Sequence, residues 1–261
     1  MLHLASLGLL VSLAVALPTW LVSLPLRDAS LADRIWSLMV AGPAVAYAAA
    51  FPPDARGVLM LALLGAWALR LAVYVTRRNS SHGEDRRYRA IRERNQPNFG
   101  LKSLYLVFGL QAVIAWMVGL PLLAALAQPA PLNSLDFIGM AVAAGGLLIE
   151  TVADAQLARF LRGPRQEGAV MDQGLWAWSR HPNYFGECCV WWGLAVMALG
   201  AGGVGAAWAL VSPLVMTALL LKVSGVALLE QDIAQRRPAY RDYVARTSAF
   251  IPWPPRRGPQ Q

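Results

Sequence analysis

Lysine is almost missing from this chain: of its 23 basic residues only Lys102 and Lys222 are lysine, and the rest are arginine. Charge of either sign is scarce as well. Charged side chains make up 15% of the 261 residues against about 25% in a soluble domain, while 57% are hydrophobic, which excludes an ordinary water-soluble fold. Cysteine is limited to the adjacent pair Cys188 and Cys189 inside an apolar run, too few and too close for a disulfide framework or a zinc site, so no metal is expected and both read as packing residues. The chain has no hydrophilic linker and no repeat of about 20 to 50 residues, so a single domain over 1–261 is expected. Gly200, Gly202 and Gly205 spell the dinucleotide fingerprint, but the strand before it, the helix after it and the acidic residue about 20 positions on are all missing. Those glycines read as a turn between two helices.

What the chain has is apolar runs of spanning length. They fall at about 3–26, 31–51, 57–76, 103–127, 135–158, 184–200 and 206–229, the sixth being short. The expected fold is an all-α integral membrane bundle of seven transmembrane helices. Arginine distribution orients it. Twenty basic residues, from Arg27 and Arg34 through the loops at 77–102 and 159–183 to the tail at 230–261, fall on one side, and only Arg56 falls on the other. By the positive-inside rule the N-terminus is outside and the C-terminus cytoplasmic. The same distribution argues against nucleic acid as the partner of the net charge of +8. The first segment has no Lys or Arg before Arg27 and exceeds a signal-peptide core, so Ala14-Val15-Ala16 reads as part of a retained helix.

The stretch Ser179 to Glu187, SRHPNYFGE, concentrates Arg180, His181, Asn183, Tyr184 and Glu187 at the start of an apolar run. A charge at bilayer depth costs about 2.5 to 3.5 kcal/mol, so Arg180, His181 and Glu187 need partners, water or a ligand. Pro182 and Asn183 suit a helix start, and a helix start facing Arg180 is an anion site suited to phosphate. Trp176, Trp178 and Tyr184 add ring faces; the competing reading is an interfacial aromatic belt with snorkelling arginines.

Other polar residues cluster toward the same side. Glu150 and Asp154 share a helix face four residues apart, so at least one should be neutral or paired, and Gln156, Arg159 and Arg162 follow. Trp67, Arg70 and Tyr74 place a guanidinium between two rings on the third run. Asp33 and Trp36 open the second, and Lys222 and Glu230 lie in or after the last. In the loop after the third run, Glu84, Asp85, Arg87 and Tyr88 are near enough to the membrane to reach a cavity mouth, whereas Arg92 and Arg94 read as solvated. The tail carries Arg236, Tyr240, Tyr243, Phe250, Pro252 and Trp253, and reads either as an anchor on anionic lipid or as a lid over a pocket. A basic pocket with aromatic faces suits NADPH or S-adenosylmethionine, and phosphates favour the former.

SRHPNYFGE, preceded by Asp154-Ala155-Gln156 and followed by Glu230 and the Tyr240 to Trp253 tail, resembles the steroid 5α-reductase family, closest to its bacterial membrane branch. The wider group includes sterol C14 reductases and isoprenylcysteine carboxyl methyltransferases. The resemblance implies a seven-helix oxidoreductase that binds NADPH from the cytoplasmic side and reduces the carbon–carbon double bond of a lipophilic enone, most readily a 3-oxo-Δ4-steroid. It assigns cofactor contacts to Asn183 and Glu187, to Asp154 and Arg162 within a register of one residue, and to Tyr243 and Ile251-Pro252-Trp253 in the tail. Arg159, Trp176, Arg180, His181, Tyr184, Lys222, Glu230, Arg236 and Tyr240 complete the expected cofactor set. The family's catalytic Tyr aligns with Trp67, since Arg70 takes the place of the family's Arg, and its catalytic Glu aligns loosely with Asp33. Tryptophan cannot donate the proton. Tyr74, Asp33, Tyr88 and Glu84, helped by Arg70, are the candidates for the acid.

The expected chemistry is hydride delivery to the β-carbon and protonation at the α-carbon by a neutral Tyr or carboxylic acid. A monomer in membrane lipid is expected, with the substrate entering from the bilayer. The arginine and alanine bias points to a GC-rich bacterium and its inner membrane. The alternatives are an S-adenosylmethionine-dependent membrane methyltransferase and a non-enzymatic sterol or lipid binder.

Overall fold

The computed structural model describes residues 1–79, 83–164, 168–223, 226, 230 and 239–256. Among the described residues there is no β-strand, and one isolated parallel bridge joins Ser179 to Ser248. The protein is all-α. Five helical stretches are long and apolar enough to cross a membrane: Leu2–Leu26, Ala55–Asn79, Phe99–Leu126, Ser134–Arg162 and Pro182–Lys222. Trp36–Ala50 is apolar but shorter, because the expected second run breaks at Ile35 into a four-residue turn and a fifteen-residue helix.

In chain order the helices are α1 (Leu2–Leu26), α2 (Leu31–Arg34), α3 (Trp36–Ala50), α4 (Ala55–Asn79), α5 (Arg86–Arg94), α6 (Phe99–Ser103), α7 (Leu110–Val118), α8 (Leu120–Leu126), α9 (Ser134–Arg162), α10 (Leu175–Trp178), α11 (Pro182–Gly202), α12 (Val211–Ala218) and α13 (Ala239–Arg246). A π-helical turn, Leu104–Gly109, joins α6 to α7. Chain contacts divide these into two compact units, residues 1–137 with 194–212 and residues 138–193 with 213–261.

In the first unit α1 ends where Arg27 turns left-handed at φ 50° and its N–H closes on the carbonyls of Ser23 and Leu24. Serine hydroxyls bind its helices together. Ser12 donates to Met39 O at 2.8 Å, Ser37 to Ala68 O at 3.0 Å and Ser212 to Val118 O at 2.6 Å, the usual polar glue between apolar helices. At one end, the side chains of Arg56 and Asp136 form a forked ion pair at 2.6 and 2.8 Å. Arg56 also reaches the carbonyls of Ala130 and Pro131, and Asp136 accepts from Asn133 N. Neither side chain is more than 1% exposed.

In the second unit α9 and α11 cross antiparallel on glycine. A Cβ built on Gly186 would lie 2.6 Å from Gly146 O and 2.7 Å from Glu150 N, and Gly193 meets Gly139 and Ala143 in the same way. Pairing Gly139 with Gly193 and Gly146 with Gly186 keeps one register over two turns, and this close approach carries Asp154 to the start of α11. Gly186→Val is expected to force the helices apart, with an overpacking cost of about 1–3 kcal/mol. A lowered midpoint of SDS unfolding measures it.

The stretch Pro182–Lys222 is not one straight rod. Cys188 Sγ lies 3.7 Å from Thr217 Oγ1, and Trp192 Nε1 donates to the same hydroxyl at 3.3 Å. In a straight helix, residues 25 apart are separated by about 38 Å. The chain therefore reverses between α11 and α12, through a 3-10 stretch Gly203–Leu210 that begins with Gly203 at φ 54°. Gly200 and Gly202, expected in a turn, sit in the last turn of α11, and Gly205 lies in the 3-10 stretch after it, with no strand beside them. Cys188 and Cys189 are free thiols, one buried and one half-buried.

Candidate functional site

Within the second unit, the motif 179–187 is stitched to the tail by its own backbone. Arg180 N donates to Ser248 O at 2.8 Å, Trp253 N to Trp178 O at 2.9 Å, and Ser179 Oγ to Phe250 O at 2.7 Å. Tyr243 adds its hydroxyl to the carbonyl of Trp176 at 2.5 Å. Trp176 in turn donates its indole N–H to Ala153 O at 3.0 Å, which ties α10 to α9.

Inside that frame the side chains converge. Arg180 grips Glu230 with two parallel bonds, Nε to Oε1 at 2.8 Å and Nη2 to Oε2 at 2.9 Å. Its remaining nitrogen, Nη1, donates to Thr247 O at 2.6 Å. His181 Nε2 lies 2.9 Å from Glu230 Oε1, and Tyr240 donates to the same oxygen at 3.3 Å. Burial pushes the Glu230 carboxyl up, but hydrogen bonds from His181 and Arg180 outweigh it and hold its pKa at about 2. Burial and then the Glu230 charge raise the Tyr240 hydroxyl above the usual phenol range, so it remains a donor.

One turn further on, Asn183 Nδ2 donates to Asp154 Oδ1 at 3.1 Å while its Oδ1 accepts from Tyr184 N at 3.0 Å. Asp154 and Glu187 are buried, and the Tyr184 ring stacks on His181 with centroids 5.4 Å apart. Asp154, expected to be neutral or paired with a basic group, accepts from the neutral Asn183 amide. Arg159, Arg162 and Lys222 are exposed and lie outside this cluster; Arg162 Nε caps Ala158 O at 3.1 Å. Arg236 lies outside the described residues, as do Arg165, Arg237 and Arg257.

The first unit holds a separate polar group. Tyr88 donates to Asp33 Oδ1 at 2.5 Å, Arg87 Nη2 lies 2.7 Å from Asp33 Oδ2, and Gln111 Nε2 donates to the Tyr88 oxygen at 2.8 Å. Burial, followed by the Asp33 charge, raises the Tyr88 hydroxyl well above its ordinary value. The fold places Tyr88 here because Asp85 caps α5, accepting from Arg87 N at 2.8 Å. Gln111 has no motif around it, and sequence reasoning missed it. A lone amide within the apolar run was the only signal.

Glu84 belongs to another contact. It takes two bonds from Arg92 at 2.7 and 2.8 Å and one from Ala29 N at 2.8 Å. Arg92, expected to be solvated, is thereby tied down and lies over the Phe99 ring. Tyr74 has the Arg78 guanidinium over its ring, Arg70 is half-buried, and Trp67 is fully buried. Of the five catalytic candidates, Asp33 and Tyr88 bond directly to each other.

A family profile described as "Protein of unknown function (DUF1295)" matches residues 19–247, most of the chain. No curated protein and no solved structure matches it.

Proposed function

The chain belongs to the protein family of unknown function DUF1295, and from the resemblance of its SRHPNYFGE motif together with the buried polar cluster we propose that it is a membrane reductase. Its reaction is the NADPH-dependent reduction of the carbon–carbon double bond in a lipophilic α,β-unsaturated ketone, with 3-oxo-Δ4-steroids as the leading substrates. The observation that carries this reading is the Asn183–Asp154 bond at the start of α11, with Glu187 a turn further into the helix. An amide donor beside carboxylate acceptors is complementary to a nicotinamide carboxamide, which has one C=O and one NH₂. Nearby rings, Trp176 and the stacked His181 and Tyr184, offer faces for a flat heterocycle. The exposed Arg159 and Arg162 are available to phosphates. On those three counts the residues fit NADPH.

When bound, the reduced nicotinamide supplies hydride to the β-carbon of the enone. The remaining work belongs to side chains of the chain. Asp33 and Tyr88 supply the acid, as a hydrogen-bonded pair backed by Arg87 and Gln111. Donation from Tyr88 beside an ionised Asp33 would leave two adjacent anions, which is costly. Arg87, 2.7 Å from Asp33 Oδ2 and lying over the Tyr88 ring, offsets that charge, so Tyr88 is the donor. After Tyr88 passes its proton to the α-carbon, it is reprotonated from solvent beside the part-exposed Asp33 and Arg87 side chains. Glu84, saturated by Arg92 and Ala29 N, is poorly placed for proton transfer.

A seven-span topology with the N-terminus outside and the C-terminus cytoplasmic is part of the same proposal. It is supported by the apolar helix α3 and by the reversal between α11 and α12. So is residence of a monomer in a bacterial inner membrane. The test is purified protein in nanodiscs with NADPH and a Δ4-3-keto steroid. Loss of reduced-nicotinamide absorbance with a saturated ketone as product is expected. A heat-stability shift with NADPH and none with S-adenosylmethionine is expected too. No turnover with any enone and no nucleotide bound would refute the reading, and a shift with S-adenosylmethionine alone would favour a methyltransferase.

A further inference from the structure

The Glu230 carboxylate is surrounded by more donors than an ion pair requires. Four converge on its two oxygens: Nε and Nη2 of Arg180, Nε2 of His181 and the Tyr240 hydroxyl. The three side chains that supply them are more than nine-tenths buried, at 8%, 5% and 7% exposure.

Each donor is also held from behind by groups other than Glu230. Arg180 is fixed through Nη1 on Thr247 O and Val244 O, and through its backbone N–H on Ser248 O. His181 is fixed by its backbone N–H on Ser179 Oγ and by stacking on Tyr184. Tyr240 packs edge-on against Tyr243, whose hydroxyl is bound to the Trp176 carbonyl. The donor array is thus built independently of the anion it holds. A guanidinium fork, an imidazole and a phenol aimed at one point form a cradle for phosphate oxygens as readily as for a carboxylate. Glu230 itself is the most exposed member, at 20% of its side chain, so the cradle opens on its side.

We propose that Arg180, His181 and Tyr240 form an oxyanion seat that Glu230 fills from within the chain, and that a phosphate group of an incoming ligand takes the seat by displacing the Glu230 carboxylate. The identity of that ligand as a nucleotide rests on the reductase reading; the seat does not. An internal competitor lowers the apparent affinity of the ligand by the fraction of time the seat is free. It also couples the two events. A ligand that moves Glu230 removes the Tyr240–Glu230 bond and the Arg180–Glu230 fork from the contacts of α13 and its neighbours.

The experiment uses the full chain in nanodiscs of neutral lipid and inorganic pyrophosphate as the probe. Glu230→Gln and Glu230→Ala are expected to bind pyrophosphate at least tenfold more tightly than the native chain, and Tyr240→Phe added to Glu230→Gln is expected to reverse part of the gain. Equal affinity in the native chain and both variants overturns the seat. Should neither variant fold, hydrogen exchange on the native chain decides. Saturating pyrophosphate should speed exchange in Ala239–Arg246, and bound pyrophosphate with unchanged protection there overturns the displacement. A gain for pyrophosphate without any NADPH binding upholds the seat and removes the nucleotide reading. A gain seen in neutral lipid and abolished in nanodiscs containing phosphatidic acid upholds it with a lipid headgroup as the competing ligand.

Discussion

Arg56→Ala is expected to cost about 3–5 kcal/mol of stability, the penalty for breaking a buried ion pair from one side. Four hydrogen bonds from Arg56 disappear at once: two to Asp136 and one each to the carbonyls of Ala130 and Pro131. Asp136 is then left as a carboxylate with its side chain 1% exposed, retaining only the Asn133 N–H. The cost arises mostly from that stranded charge rather than from the pair itself. Asp136→Ala should therefore be comparably harmful, because it strands Arg56, whereas Arg56→Met combined with Asp136→Leu should recover most of the loss. The midpoint of SDS unfolding measures all three. A double variant as unstable as the singles would show that the carbonyl contacts at Ala130 and Pro131 hold this end together, not charge balance.

Asp33→Asn and Tyr88→Phe are each expected to lower kcat for enone reduction by about 10² to 10⁴, the usual contribution of a positioned acid. Asparagine keeps the shape but removes the charge that holds the Tyr88 hydroxyl and the Arg87 guanidinium in place. Phenylalanine removes the oxygen that bridges Asp33 and Gln111. Neither residue is among those assigned to the nucleotide, so KM for NADPH should stay within about threefold while kcat falls. Glu84→Gln supplies the contrast. It loosens the bond to Arg92 and should lower stability while sparing kcat. If Glu84→Gln costs as much in kcat as Asp33→Asn, the assignment of the acid to the Asp33–Tyr88 pair is wrong.

Sequence patterns exposed the helical architecture better than the pairings inside it. Runs of apolar residues located most helices to within a few positions, because length and hydropathy are local properties. The second run was overextended, since the break at Ile35 is a backbone event with no proline or glycine to announce it. Asn183 and Asp154 are both marked by the reductase resemblance, and they do meet. The phosphate role expected of Arg180 follows from its charge beside a helix start and takes no account of Glu230, which lies 50 residues away and meets it only in the fold. Arg56 read as a lone outer arginine for the same reason, its partner being 80 residues on. Tyr88 and Asp33 were selected separately; the amide of Gln111 that completes the group has no neighbouring motif.

The seam between the motif and the tail also sets an order of events during synthesis. Arg180 receives its carbonyl partner Thr247 only after 67 more residues have been made, and domains of this kind mature as their distant contacts become available. Until then a newly inserted α11 presents an arginine and a histidine at the bilayer edge with their later partners still on or inside the ribosome. Water and lipid phosphates must cover them in that interval. Maturation of the second unit is thereby deferred until the tail emerges, and a nascent chain arrested before Thr247 should be recognised by quality-control proteases as unfinished.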